Sequence, residues 1–189
     1  YEGNIDEKEY FETLQNAVPQ RFRYIIKFIA IEKTGNDSSP NNILNDLLSY
    51  AKNNGYKTTS SDVEAFIVFD KDDNFVGTHK RGTFTTIAEC NRRKITPIVS
   101  APSFEIWKIL HHIDVSTLSE QDKLKLIENR KKAKGAERYI KRLVRSSDIP
   151  NDSKELLSKT KTAIGNEEKL NNVYEHIDIE QPRLQSQIG

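Results

Sequence analysis

Apolar residues recur along the first part of the chain with helical spacing, then with strand spacing, in alternation. A helix is predicted over Glu7–Val18, where apolar residues recur every three or four positions until Pro19. The stretch Phe22–Ile31 is β-branched and apolar on both alternating faces, which predicts a central strand covered on both sides. A second helix is predicted to begin at Pro40 and to end before Gly55.

The same alternation continues through the middle of the chain. A short apolar strand is predicted over Glu64–Phe69, a helix over Thr83–Lys94, a strand over Ile95–Ala101 and a helix over Pro102–His112. Strands that alternate with helices indicate an α/β fold whose sheet is mostly parallel and flanked by helices.

The pattern changes after Ser119, where apolar positions indicate one or two helices, and the stretch after Ile149 is polar. We therefore predict a core over residues 1–115 and, over residues 116–189, a basic helical extension that ends in a loose polar tail.

The 189 residues are enough for one sizeable core with a helical appendage. No apolar run approaches the length of a membrane span, which predicts no membrane association. The single cysteine, Cys90, is predicted to be a small buried residue, and it fits a reducing compartment. Since there is also no signal-peptide pattern, a cytoplasmic location is expected.

A formal net charge of +1 conceals a strongly basic segment. Lys123–Arg145 holds ten basic residues and two acids, an excess of eight positive charges. Such an excess favours nucleic-acid binding, with a solvated helical face as the alternative. The candidate nucleic-acid-binding residues are Arg130, Lys131, Lys132, Lys134, Arg138 and Lys141.

Two aspartates, Asp70 and Asp72, follow directly after the strand Glu64–Phe69. Residues two apart in an extended chain point to the same side, and ligands bind at the carboxyl ends of parallel strands. Oxygen ligands suit Mg²⁺ or Mn²⁺, and one cysteine with four histidines gives no zinc-type cluster. A solvated turn is the alternative, and for an isolated Asp-x-Asp it is the commoner one.

A second acidic group lies in the opening stretch "YEGNIDEKEYF". If a strand precedes Tyr1, Glu2 lies at the carboxyl end of that strand, close to the two aspartates. Glu7, in the first helical turn, is either a metal ligand or a partner of the helix dipole, and Glu9 and Glu12 are assigned the second role.

Three ordered stretches carry a family resemblance that spans about Tyr1 to His112. They are "EGNIDEKEYF", "VFDKDD" and "SAPSFEIWKILHH". An acidic Glu-Gly before a helix, followed by a strand that ends in Asp-x-Asp, resembles the Toprim domain of topoisomerases, primases and nucleases. The three stretches together resemble the RloB-like branch of Toprim proteins more specifically, which implies a Toprim-like, metal-binding core.

The resemblance also implies roles for individual residues. The implied catalytic residues are Glu2, Asp70, Asp72 and Glu105, and the implied metal ligands are Glu2, Glu7, Asp70, Asp72 and Glu105. Ser100 matches a later serine that completes a second metal position in the related OLD-type nucleases. The chain departs from the family pattern at Asp6, Ala101 and Ser103, where Thr, Asn and Cys are usual.

The expected function is that of a Mg²⁺- or Mn²⁺-dependent nuclease acting on RNA, tRNA included, or on DNA. The resemblance implies an effector in antiviral defence, together with a companion defence protein. Lys134 or Lys141 is a candidate for stabilising the transition state. His111 and His112, at the end of the last core helix, are expected to favour its dipole as cations. Two alternatives stay open: a non-catalytic metal- and nucleotide-binding sensor or partner subunit, and a structural subunit with solvated acidic loops.

Overall fold

A computed structural model of the chain describes residues 1, 6–35, 39–71, 74–146, 149 and 152–173. Within these ranges the chain begins with two helices, strands and helices then alternate up to the fourth helix, and the described chain beyond it is helical. In chain order the elements are α1 (Asp6–Ala17), α2 (Pro40–Asn53), β1 (Ala65–Asp70), α3 (His79–Arg92), β2 (Ile95–Ser100), α4 (Glu105–Leu110), α5 (Glu120–Glu128), α6 (Tyr139–Ser146), α7 (Ser153–Ser158) and α8 (Thr160–Val173).

The chain divides into two compact units. The first unit comprises Tyr1–Phe69 and Val76–Ile98, and the second comprises Asp70–Phe75 and Val99–Gly189. The predicted core over 1–115 and extension over 116–189 stay a prediction.

The sheet of the described residues is parallel and has two strands, β1 and β2, joined by α3. The backbone N–H of Lys71 donates to the carbonyl of Ser100 at 2.8 Å, so the two strands remain paired at their carboxyl ends. Ile67 and Phe69 are buried, as expected for strands of a parallel sheet. The predicted α/β class with flanking helices is therefore confirmed.

The predicted central strand Phe22–Ile31 is wrong. A 3₁₀ turn, Gln20–Phe22, occupies its start, where the Phe22 N–H donates to the Pro19 carbonyl at 2.8 Å. The Ile26 N–H then donates to the Phe22 carbonyl at 2.7 Å, so these backbone groups close a turn rather than a ladder. Side chains that would be covered in a strand face solvent: Tyr24 is 89% exposed. In the described part of the chain, no strand pairs with this segment.

The first unit is held together by α2 and α3, which pack on each other. Ile43, Leu44 and Leu47 are buried on one face of α2, as the helical spacing predicts. The predicted start of this helix at Pro40 is confirmed, and Gly55, just beyond its end, has φ +74°, which a side chain would disfavour. Cys90 on α3 is buried as predicted, and burial raises the pKa of its thiol to about 11.

The second unit is centred on α4, all six residues of which are buried. Helix α4 packs against α6 and α8, and its indole, Trp107, is among the largest fully buried side chains. Such a helix forms the core of the unit rather than its surface.

Helices α7 and α8 lie where the sequence indicated only a polar stretch. Buried Leu156, Ala163 and Leu170 anchor them, while most neighbouring residues are polar. Asp152 caps α7 by accepting from the Glu155 N–H at 3.1 Å. The sequence did not predict these helices, because only about one residue in every two helical turns is both apolar and buried. Residues 174–189, which include the end of the chain where a loose polar tail was predicted, lie outside the described residues.

None of the helices in the described ranges has the length and hydropathy that crossing a bilayer requires.

His111 is a neutral core residue, not the helix-end cation that the sequence suggested. Its side chain is 1% exposed, and its Nδ1 lies 2.8 Å from the Trp107 carbonyl. Burial lowers the pKa of His111 to about 4, and the nearby charge of Lys159 acts in the same direction. The imidazole is therefore uncharged at neutral pH.

Acidification is expected to destabilise the fold through His111. The unfolded chain takes up a proton below pH 6.5, whereas the folded histidine does so only near pH 4. The contribution of His111 to the free energy of unfolding should be complete above pH 6.5. The free energy of unfolding should then fall by roughly 2–3 kcal/mol as the pH approaches 4. Urea unfolding between pH 7 and 4.5 measures this loss. His111→Asn keeps a donor for the Trp107 carbonyl but cannot titrate, so its profile should be flatter; an unchanged slope would show that other groups cause the loss.

Candidate metal centre and nucleic-acid interface

Asp70 ends β1 with a half-buried carboxylate that is tied to the start of α4. Its Oδ1 accepts a hydrogen bond from the backbone N–H of Phe104 at 2.8 Å. The chain after β1 turns back, because the Asn74 side-chain amide donates to the Asp70 carbonyl at 2.8 Å and the Asn74 N–H donates to the Lys71 carbonyl at 3.0 Å. These bonds fix the carboxylate at the carboxyl end of the strand.

Glu105 is a buried carboxylate at the first position of α4, 4% exposed. Its Oε2 accepts from the Ser103 hydroxyl at 2.6 Å, and its Oε1 lies 3.4 Å from the Lys141 ammonium of α6. A buried carboxylate is strongly destabilising unless it is hydrogen-bonded and charge-paired. Ser103 supplies the hydrogen bond at Oε2, and Lys141 supplies the opposite charge at Oε1.

Asp70 and Glu105 are distant in sequence but near each other in the structure. The Asp70 carboxylate accepts from the N–H of Phe104, the residue directly before Glu105. Ser100 ends β2 beside them, with its carbonyl bonded to the N–H of Lys71. The Ser100 side chain is fully buried, and its hydroxyl makes no hydrogen bond within the described part of the chain. Two carboxylates and one unpartnered hydroxyl thus cluster around the carboxyl ends of the two strands.

Glu7, another predicted ligand, lies in the first turn of α1, in the first unit. Its side chain is buried, in contrast to exposed Glu9 and Glu12. Nearby, burial raises the pKa of Tyr1 to about 12, assisted by the negative charges of Glu12, Glu32 and Glu7. A buried carboxylate in a first helical turn fits the predicted dipole role, and the ligand role stays a prediction.

Glu2 and Asp72, the remaining predicted catalytic residues, lie outside the described residues. Among the residues that are described, no group of three or more His, Cys, Asp or Glu side chains is placed to hold a metal ion. The two predicted ligands that the structure describes near the strand ends, Asp70 and Glu105, offer carboxylate oxygens, which suit Mg²⁺ or Mn²⁺ rather than zinc. The donor chemistry therefore fits the expected ion, provided that Glu2 and Asp72 complete the ligand set.

The six predicted nucleic-acid-binding residues fall into two groups. Arg130 pairs with Glu128 at 2.6 Å, and Lys141 pairs with Glu105. Arg138 is half-buried and has an interaction partner. The other three are exposed on the loop between α5 and α6 and form no ion pair in the part of the chain that the structure describes; they are Lys131, Lys132 and Lys134, here called the lysine loop.

The lysine loop is anchored at both ends. Asn129 adopts the left-handed conformation at the end of α5, and its buried Oδ1 accepts from the Ile140 N–H of α6 at 2.9 Å. Gly135, at φ +81°, provides a second left-handed position within the loop. The three charges are therefore presented to solvent by a short segment closed between two helices.

Sequence reasoning noted Ser103 only as a departure from the family pattern, yet its hydroxyl orients Glu105. A serine next to the start of a helix often hydrogen-bonds locally, and this is the sequence signal that could have found it. The contribution of the Phe104 N–H had no sequence signal, because any residue supplies a backbone donor.

Comparison with curated proteins gave no match, and comparison with solved structures also gave none. A protein-family model described as RloB-like protein matches residues 1–187, nearly the whole length of the chain. The resemblance carried by the three sequence stretches agrees with that match. The chain therefore belongs to the RloB-like protein family.

Proposed function

We propose that this protein is a Mg²⁺- or Mn²⁺-dependent nuclease that hydrolyses phosphodiester bonds in RNA, tRNA included, or in DNA. The observation that supports the proposal best is the hydrogen bond from the Phe104 N–H to the Asp70 carboxylate. It holds Asp70 next to the start of α4, where Glu105 is buried. We also propose that the described two-stranded sheet belongs to a Toprim-like core, in which Glu2 and Asp72 supply the missing ligands.

The residues around Glu105 are suited to hold a dication and a phosphate together. Divalent ions held by these carboxylates would supply an activated water and would neutralise charge on the phosphate that is attacked. The Ser103 hydroxyl donates to Oε2 of Glu105 and orients the carboxylate. The other oxygen, Oε1, faces the Lys141 ammonium and is the one that a metal ion would bind. The Lys141 ammonium lies beside the proposed reaction centre, so it is the better candidate of the two lysines for contacting a phosphate oxygen.

The lysine loop is proposed to hold the backbone of the nucleic acid. Lysines contact phosphates without sequence preference, and these three have no acidic partner among the described residues. Sequence-independent binding suits an effector that damages nucleic acid when triggered. A cytoplasmic role in antiviral defence, alongside a companion defence protein, is the biological setting that the family resemblance suggests.

Metal removal is the first test of this proposal. Incubation of the purified protein with plasmid DNA and with total tRNA should give cleavage in Mg²⁺ or Mn²⁺, because phosphate chemistry needs the ions that the carboxylates hold. EDTA should abolish the cleavage, and excess Mg²⁺ should restore it. Cleavage that persists in EDTA would exclude a metal-dependent mechanism.

A second candidate function is a metal- and nucleotide-binding subunit without catalysis. It is favoured by one observation: Asp70 and Glu105 are already satisfied by Phe104, Ser103 and Lys141, as structural carboxylates would be. This candidate predicts nucleic-acid binding with no cleavage in any divalent ion, on either substrate.

A further inference from the structure

A groove of about 540 Å³ lies at the amino ends of β1 and β2, the opposite ends from Asp70 and Ser100. The loop between α2 and β1 forms one wall, and the first residues of both strands form the other. Its volume is within the range of small-molecule sites. All the residues that line it belong to the first unit.

The groove is rich in hydroxyl groups. Five of its ten lining residues carry one: Thr58, Thr59, Ser60, Ser61 and Thr96. A hydroxyl both donates and accepts, so such a surface hydrogen-bonds oxygen-rich ligands such as phosphates and sugars.

One cation, one anion and one aromatic ring complete the lining. Lys94, directly before β2, is exposed and has no ion pair within the described residues. Glu64 contributes a carboxylate from the residue before β1. Phe66 on β1 is 47% exposed, an unusual placement for a phenyl ring in a short strand of a parallel sheet.

We propose that this groove binds a ribonucleoside monophosphate, either free or as one nucleotide of an RNA. Lys94 and the hydroxyls contact the phosphate, the Glu64 carboxylate accepts from the ribose hydroxyls, and the base stacks on Phe66. A carboxylate that accepts from a ribose 2′-hydroxyl and an aromatic ring under a base are both common in nucleotide recognition. The proposal is independent of hydrolysis at the Asp70 end of the strands.

The charge balance of the groove selects among anionic ligands. With one ammonium against one carboxylate, its net charge is zero, which accommodates a single phosphate group better than a triphosphate. Each nucleotide within an RNA chain carries such a phosphate. The same carboxylate has a hydrogen-bond partner in ribose that deoxyribose lacks, so ribonucleotides should bind more tightly than deoxyribonucleotides.

Binding in EDTA, where metal-dependent cleavage is suppressed, tests the proposal separately from catalysis. AMP, dAMP, adenosine, ATP and inorganic phosphate are titrated by calorimetry, and a labelled five-nucleotide RNA by fluorescence anisotropy. We expect AMP to bind more tightly than dAMP, adenosine, ATP and phosphate. Competition of AMP with the RNA would show that both enter the groove. Binding of AMP alone identifies a free nucleotide as the ligand, and binding of RNA alone identifies RNA if Lys94→Ala weakens it, since the lysine loop would bind RNA without the groove.

Two substitutions test the groove itself. Lys94→Ala should weaken AMP or RNA binding about tenfold, the value of one charge-assisted hydrogen bond. Phe66→Leu keeps an apolar side chain for the strand but removes the stacking surface, and should weaken binding roughly fivefold or more. Lys57→Ala, on the same loop outside the groove, is the matched control. No binding of AMP or RNA at millimolar concentration would overturn the proposal, and so would equal affinities of the Lys94 and Lys57 variants.

Discussion

Replacing Asp70 with asparagine is expected to lower metal-dependent cleavage by roughly 100- to 1,000-fold while leaving the fold intact. The carbonyl oxygen of asparagine still accepts from the Phe104 N–H, so the start of α4 keeps its hydrogen bond. The substitution removes only the negative charge that would bind the ion. Cleavage rates at saturating Mg²⁺ and thermal unfolding of the same sample measure the two effects independently.

The result depends on a matched comparison. Glu168→Gln removes one exposed carboxylate from α8 in the same unit and should leave cleavage unchanged. If Asp70→Asn were as active as the unmodified protein, the carboxylate of Asp70 would serve only to cap α4. If Asp70→Asn unfolded, the comparison would move to Glu105→Gln, whose amide still accepts from the Ser103 hydroxyl.

Neutralising the lysine loop is expected to weaken nucleic-acid binding by one to two orders of magnitude. Each lysine that contacts a phosphate releases about one counterion, so the triple change of Lys131, Lys132 and Lys134 to glutamine should lower the salt slope of log K by about 2 to 3. The loop is exposed and closed by Asn129 rather than by these side chains, so folding should be unaffected. Anisotropy with a labelled tRNA across a salt series measures both quantities.

General positive charge is the alternative explanation for such a loss. Three exposed lysines elsewhere provide the control with the same change in net charge: Lys57, Lys154 and Lys161 to glutamine. An equal loss of affinity in this control would mean that the lysine loop is not the interface.

The sequence was sufficient for the elements whose local patterns agree with their packing. Helix α2 has its proline at the start and its glycine just past the end, and its apolar face is the buried one. Strand β1 is apolar up to Asp70, so the placement of that carboxylate at a strand end could also be predicted. In both cases local propensity and tertiary burial favour the same structure.

The prediction failed where tertiary context overrides the local pattern. Phe22–Ile31 has the composition of a buried strand, yet a strand needs a hydrogen-bonding neighbour, and the turn after Pro19 uses its first backbone groups. The charge of His111 could not be predicted from sequence either. Its place near a helix end suggested a cation, but the burial that keeps it neutral depends on tertiary packing.

Only part of the candidate site could be predicted from sequence. The acids were evident from their motifs, and Ser100 and Glu105 from the family resemblance. The bonds that orient them were not, because the Asp70–Phe104 and Glu105–Lys141 contacts join residues more than thirty positions apart and depend on how α4 and α6 pack. Which of the six basic residues are ion-paired also depends on that packing, since Lys141 lies against Glu105.

A crystal soaked in Mn²⁺ tests the central claim most directly, because anomalous scattering locates the ion without reference to activity. We expect an ion about 2 Å from carboxylate oxygens of both Asp70 and Glu105, with Glu2 and Asp72 completing its coordination. A soaked crystal with no ion between Asp70 and Glu105, or with Glu2 remote from them, would contradict the proposed metal centre and the nuclease function that depends on it.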